Sequence, residues 1–203
     1  MTRTTPAAQI TLNYLANPKV TQCAYAVAAG EVIAYPTEAV WGLGCDPFDA
    51  HAVNRILQLK NRAASKGVIL IAGDMAQLHF LLHDLSAQHK QTLNESWPGA
   101  NTWLIPHHNR VPSYIHGAFD TVAVRVTAHP AVKALCHRLG HPIVSTSANP
   151  QGLKPASNQL KARTYFKHNR FGHSVYYCPG NVSDAQGQPS QIRHLITGDI
   201  VRA

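Results

Sequence analysis

Several short stretches hold residue types able to bind and activate a small anionic substrate. Lys60-Asn61-Arg62, followed by Lys66, sets three cations just ahead of the apolar run Val68-Ile69-Leu70-Ile71-Ala72. Arginine can grip a phosphate through two parallel N–H groups and lysine adds a point charge, so this set suits a triphosphate. The same cations would also suit the negative end of a helix. Ser145-Thr146-Ser147-Ala148-Asn149 directly follows Ile143-Val144. Short hydroxyls and an amide at a strand's carboxyl end can hold a nucleotide or an amino acid without bulk, and they can equally cap a turn. No Gly-x-Ser-x-Gly elbow surrounds these serines, so nothing marks a serine nucleophile. Arg125 lies inside Val122-Ala123-Val124-Arg125-Val126, where a strand would turn it either to solvent or into a cleft.

Tyr35-Pro36-Thr37-Glu38-Ala39-Val40-Trp41-Gly42-Leu43-Gly44 leaves a strand through a proline and is rich in small residues. Its backbone can therefore approach a ligand at the carboxyl edge of a sheet. Its two glycines do not complete a dinucleotide fingerprint, and the chain has no Walker A lysine motif. Ser190 and Arg202 carry no signal alone. His79 and His83 are spaced for one helix face, but no glutamate lies between them in the metalloprotease pattern and no third ligand is evident, so no metal site is expected. Cys23, Cys45, Cys136 and Cys178 are scattered without a Cys-x-x-Cys pair and read as reduced, buried thiols.

The elements that must position these residues alternate. Asn17-Pro18 opens a helix over Val20, Cys23, Ala24 and Val27 that Gly30 ends, and Val32 to Tyr35 is a strand. Asp49 caps a second helix through Val53, Ile56, Leu57 and Lys60, after an irregular stretch. Val68 to Ala72 is a strand buried on both faces. A helical region runs from about Met75 to Glu95 with a break near Asp84, and Trp97-Pro98-Gly99 is a turn. Strands follow at Thr102 to Pro106, Thr121 to Val126 and Pro142 to Val144, with a helix at Ala131 to Leu139. The tail adds a helix near Asn158 to Phe166 and strands near Ser174 to Tyr177, Ile192 to Ile196 and Asp199 to Arg202. The pattern predicts an α/β fold with a twisted, mixed sheet flanked by helices, in one domain over residues 1–203.

Length and charge narrow the partners. The chain has 203 residues and a formal net charge of +8 on 14% charged residues, which favours an anionic partner such as a nucleotide or RNA. No RRM-type aromatic pair, KH Gly-x-x-Gly loop or arginine-rich tail supports a dedicated RNA binder. No run of apolar residues is long enough to span a bilayer, and Met1 to Pro6 leads into mixed sequence without a secretory core, so a cytoplasmic protein with no membrane partner is expected.

Taken together and in order, the segments resemble the YrdC-type threonylcarbamoyl-AMP synthase family. The resemblance is carried by Pro36 to Gly44, Lys60-Asn61-Arg62, Lys66 to Ala72, Trp97-Pro98-Gly99, Val122 to Val126, Ser145 to Asn149 and Pro189-Ser190, and it covers nearly the whole chain. It is most similar to the short bacterial form, because nothing follows Ala203 where the longer form continues. The resemblance implies a YrdC-like fold around a large basic cavity. It also implies a nucleotidyltransferase reaction in which L-threonine, bicarbonate or CO2, and ATP give threonylcarbamoyl-AMP and pyrophosphate. Mg2+ would ride on the phosphates. The product would serve a tRNA threonylcarbamoyl transferase complex that forms t6A, with weak tRNA binding by this chain. Carried over, Arg62, Lys66, Thr121, Ser147, Asn149 and Arg202 would contact ATP. Thr37, Arg125, Ser145 and Ser190 would hold threonine, and Lys60 and Arg62 would act at the reacting centre. Ala39 stands where many relatives have a second threonine, and Ile71 where some have histidine.

Overall fold

The computed structural model describes residues 13–183 and 190–202. Asn17 caps α1 (Pro18–Ala28) through its side-chain oxygen, which accepts the Lys19 N–H at 2.9 Å. β1 (Val32–Pro36) and β2 (Trp41–Gly44) form a hairpin. Asp49 caps α2 (Ala50–Lys60) by accepting the N–H groups of His51 and Ala52. A short turn at Ala64–Lys66 leads into β3 (Ile69–Ala72). The helical region beyond is broken into a turn at Ala76–Leu78, α3 (His79–Leu82) and α4 (Ala87–Ser96). There follow β4 (Asn101–Pro106), α5 (Ser113–His116), β5 (Thr121–Val126), α6 (Pro130–Leu139) and β6 (Ile143–Ser147). The remainder is α7 (Gln159–Phe166), β7 (Val175–Tyr177), β8 (Gln191–His194) and β9 (Ile200–Arg202).

The nine strands of the described residues join one sheet in the order β7-β1-β2-β6-β3-β5-β4-β8-β9. It is mixed: β1 and β7, β3 and β5, and β4 and β8 run parallel, and the other neighbours are antiparallel. Two features went beyond the sequence expectation. The stretch after Pro36 is not irregular throughout, because Trp41 to Gly44 returns as β2. Gly44 is required there: a Cβ would meet the Val144 carbonyl at 2.6 Å. The second is α5, a single turn too short for its period to show.

Side-chain alternation sorts the core into two faces. Val32, Ala34, Leu70, Ala72, Val122, Val124 and Val126 pack with Val53, Ile56 and Leu57 of α2 and Phe166 of α7. Ile33, Tyr35, Ile71 and Ile143 pack on the opposite face with Val20, Cys23 and Val27 of α1 and Val132 and Leu135 of α6. All four cysteines are buried and free. The α1–α6 pair covers this second face at one end only. Farther along the same alternation, Ile69 of β3 and Thr121, Ala123 and Arg125 of β5 face a cavity instead of a helix. No helix among the described residues is long and apolar enough to cross a membrane.

Candidate active site

The cavity measures about 420 Å³. Strands bring its walls together from distant segments: Gly42 of β2, Ser145 and Ser147 of β6, Thr121 and Arg125 of β5, and Arg202 of β9. Register sets their spacing, with Gly42 opposite Ser147, Ile69 opposite Ser145, and Ile71 opposite Arg125. Thr37, Arg62, Lys66 and Ser190 complete the expected residues on the wall. Four cations, Arg62, Lys66, Arg125 and Arg202, line the cavity, and no carboxylate does so among the described residues.

Arg62 reaches the cavity because α2 ends abruptly. Asn61 adopts the left-handed conformation (φ 51°, ψ 48°), which asparagine tolerates well and which turns the chain away from the helix axis. The Arg62 guanidinium then donates from Nη2 to the carbonyls of Lys66 (3.2 Å) and Gly67 (3.0 Å), closing the loop that carries Lys66. That loop is braced by α5 and the segment after it: the Ala118 N–H donates to Ser65 O at 3.1 Å and the Val68 N–H to Ile115 O at 2.9 Å. Burial lowers the Arg62 pKa, as it does that of Arg202, yet both guanidinium groups stay cationic near neutral pH.

Lys60 and Asn149 stand apart from the other expected residues. Neither lines the cavity. Lys60 is buried, and its ammonium donates to the Ser147 carbonyl, to the Asn149 carbonyl at 2.8 Å and to Asn149 Oδ1 at 3.4 Å. The Asn149 amide in turn donates to the carbonyls of Pro150 and Leu153. Both residues fasten the end of β6 from behind, so the direct contacts expected from sequence become support for Ser147. The physical reason is reach: α2 lies on the opposite face of the sheet, where a lysine at its last turn meets backbone carbonyls before it meets the cavity. Burial, and secondarily the Arg62 charge, lowers the Lys60 pKa to about 7.

At the other end, Arg202 donates from Nη2 to the Ser190 carbonyl at 2.7 Å, and the Ser190 hydroxyl pairs with Thr102 Oγ1 at 2.9 Å. The Thr37 hydroxyl donates to Val40 O at 2.7 Å and closes the β1–β2 turn. Ala39 is buried on the cavity wall, whereas Ile71 belongs to the packed core. Pro189 lies outside the described residues.

Arg125 is turned into the cleft, not to solvent, and is almost wholly buried. Sequence reasoning did not single out its partner. Glu38 forms an ion pair with Arg125 Nη2, while its second oxygen accepts the Thr127 hydroxyl at 2.9 Å and the Ala128 N–H at 2.8 Å. A signal was present: a lone carboxylate among the apolar residues of Tyr35 to Leu43 needs a buried cation or donors. Also unforeseen were His116 and Phe119 beside the cavity. The ring of His116 stacks on His107 at 3.9 Å, and its Nδ1 donates to Phe119 O at 2.9 Å. The rings of His79 and His83 lie 5.6 Å apart at a tilt of 35°, and no group of three metal-ligating side chains occurs among the described residues.

Comparison with known proteins places this geometry. The family model Sua5/YciO/YrdC, described as telomere recombination, matches residues 25–203. A threonylcarbamoyl-AMP synthase of Saccharophagus degradans is 53% identical over 191 residues, covering 94% of this chain and 97% of the relative. One from Pseudomonas fluorescens is 47% identical over 184 residues, covering 91% and 96%. Among solved structures, P. abyssi Sua5 complexed with L-threonine matches with a TM-score of 0.76 at 28% identity, over 86% of this chain. This chain spans 50% of that longer protein. E. coli YciO matches in fold, with a TM-score of 0.77 at 23% identity over 90% of this chain and 87% of that one. Model, relatives and fold agree: the chain belongs to the Sua5/YciO/YrdC family.

Proposed function

We propose that this chain is a threonylcarbamoyl-AMP synthase, a nucleotidyltransferase that makes threonylcarbamoyl-AMP and pyrophosphate from L-threonine, bicarbonate or CO2, and ATP. The observation that carries the reading is the row of cations on a sheet face that no described helix covers, with hydroxyls between them and, among the described residues, no carboxylate on the wall. Such a wall suits a substrate set in which the triphosphate, the amino-acid carboxylate and the carbamate are all anionic. The synthases of Saccharophagus degradans and Pseudomonas fluorescens support it by their names and near full-length similarity.

In this reading Arg62 and Lys66 hold the phosphates, and Thr121, Ser147 and Arg202 hold the rest of the nucleotide. Arg125 takes the threonine carboxylate, with Thr37, Ser145 and Ser190 around the side chain. Lys60 and Asn149 act through Ser147. The threonine amine, once deprotonated, adds to the carbon of CO2, and loss of the N–H proton leaves a carbamate. A carbamate oxygen attacks the α-phosphorus of ATP, and the bond to the bridging oxygen breaks to release pyrophosphate. No enzyme nucleophile is needed. Holding the reactants in line in a confined site can lower the barrier by about 7–11 kcal/mol. Magnesium enters with the nucleotide as MgATP, held by phosphate oxygens and water.

We place the chain as one domain in the cytoplasm, supplying its adenylate to a tRNA threonylcarbamoyl transferase complex, with weak tRNA binding through its net charge of +8. Mass spectrometry of a reaction with ATP, threonine and labelled bicarbonate tests the activity. The expected product is a labelled adenylate that forms with no RNA present; pyrophosphate release independent of threonine would overturn the reading.

A further inference from the structure

Arg125 has more donors than its surroundings use. Its Nη2 meets Glu38, while its Nε is buried with no acceptor among the described residues. Glu38 does not line the cavity. It stands beyond the end of β5, where one oxygen is fixed by Thr127 Oγ1 and the Ala128 N–H and the other meets the guanidinium. Thr127 is fully buried and its hydroxyl also accepts the His129 N–H at 3.0 Å. A buried carboxylate with both oxygens engaged costs less to keep ionised than to release. The guanidinium is planar, so pinning one edge fixes the direction of the others.

We infer that Glu38 is a positioning residue for the amino-acid substrate: anchored by Thr127 and Ala128, it holds one edge of Arg125 so that the remaining donors face a ligand carboxylate. This rests on the assignment of Arg125 to the threonine carboxylate. Glu38 also balances the Arg125 charge, and Arg62, Lys66 and Arg202 are the cations on the wall with no ion pair among the described residues. The triphosphate is thereby drawn to their part of the cavity, and the amino acid is left the directed donors of Arg125.

Glu38→Gln keeps the shape and the acceptor for Thr127 but sets an amide against the guanidinium. Thr127→Val removes one of the two anchors, leaving the Ala128 N–H, and touches neither Arg125 nor the cavity wall. Both variants should raise the KM for threonine, the first about ten- to a hundredfold as for a lost hydrogen bond to a charged group, the second less. The KM for ATP should change less than about twofold in each. Calorimetric titration with L-threonine should weaken in parallel. Arg125→Lys separates the role of Arg125 from that of Glu38. If it leaves threonine binding unchanged, the assignment of Arg125 fails. If it weakens threonine binding while both Glu38→Gln and Thr127→Val bind threonine as wild type does, the role of Glu38 is overturned. Tighter threonine binding by Glu38→Gln would likewise overturn it, because Glu38 would then be a competitor of the substrate carboxylate. Should Glu38→Gln fail to fold, Thr127→Val alone decides between these outcomes.

Discussion

Lys66 and Arg62 flank one loop yet differ in what their loss would remove. Lys66 is exposed, and its ammonium has no partner among the described residues. Lys66→Ala should therefore leave the melting temperature unchanged while weakening ATP binding about ten- to a hundredfold, the range for hydrogen bonds to charged groups. Nucleotide titration of the folded variant checks this, and wild-type affinity would remove Lys66 from the phosphate site. Arg62 also closes the loop through the Gly67 carbonyl, so a variant there mixes binding with stability. Amino-acid choice is a second test at this scale. Serine lacks one methyl of threonine, worth only about 10–200-fold, while valine lacks the hydroxyl, which a site with buried polar partners can reject by about 10⁴–10⁵. The proposed partners are Ser145, half-buried, and Ser190, buried, both on the wall. Residual adenylate formation is expected with serine and almost none with valine; valine outperforming serine would mean that the pocket reads shape alone. Nine of the eleven residues expected from sequence line the cavity. Lys60 and Asn149 do not, because adjacency in a motif does not reveal which side of a sheet a helix end occupies. Glu38 escaped because its role depends on Thr127, 89 positions away, and no local pattern carries that distance.

At the scale of elements, the end of α2 and the end of β6 are tied together by one buried lysine. Its pKa near 7 gives that tie a pH signature. In the unfolded chain Lys60 keeps its proton to about pH 10.4. Between pH 7 and that value the unfolded state binds more protons than the folded one, so this group makes stability rise with pH across that window. Below pH 7 both states hold the proton and the cost of burying the charge is fully present. Lys60→Met removes this contribution along with the hydrogen bonds to Ser147 and Asn149. Urea unfolding at pH 7, 8 and 9 should show wild type gaining on the variant by up to about 1.4 kcal/mol per pH unit. A flat difference would mean that the three carbonyl acceptors keep the ammonium charged. Elements with a cap or a long apolar face were readable from sequence: Asn17 and Asp49 mark helix starts, and Val122, Val124 and Val126 mark the buried side of β5. β2 was not, because four residues with two glycines show neither period nor propensity.

At the scale of the molecule, the order of the sheet explains why the cavity exists. The covering helices α1 and α6 pack against Ile33, Tyr35, Ile71 and Ile143, leaving Ile69 and most of β5 bare on the same face. The sequence left Arg125 of β5 between solvent and a cleft, and nothing in its spacing showed that no described helix would lie above Thr121, Ala123 and Arg125. That depends on strands β8 and β9 returning to the far edge from the end of the chain. The cavity therefore joins Gly42 of β2 and Ser147 of β6 to Ile192 of β8 and Arg202 of β9 at the far edge. A ligand seated there braces segments that otherwise meet only through the sheet, and binding to the folded state alone must raise thermal stability. At a hundredfold excess over Kd the gain is about 2.7 kcal/mol. For a chain of this size each kcal/mol moves the midpoint by about 2–4 °C, so MgATP should raise Tm by roughly 5–10 °C. Threonine added with MgATP should raise it further, because its proposed partners Arg125 and Ser145 lie on the central strands. Thr121→Val, on β5 between β3, which follows Lys66, and β9, which carries Arg202, should shrink the nucleotide shift and spare the resting midpoint, since Thr121 is only half-buried and stands outside the packed core of the described residues. An equal nucleotide shift in this variant would move ATP away from β5, and no shift at millimolar MgATP in wild type would leave the cavity without its nucleotide.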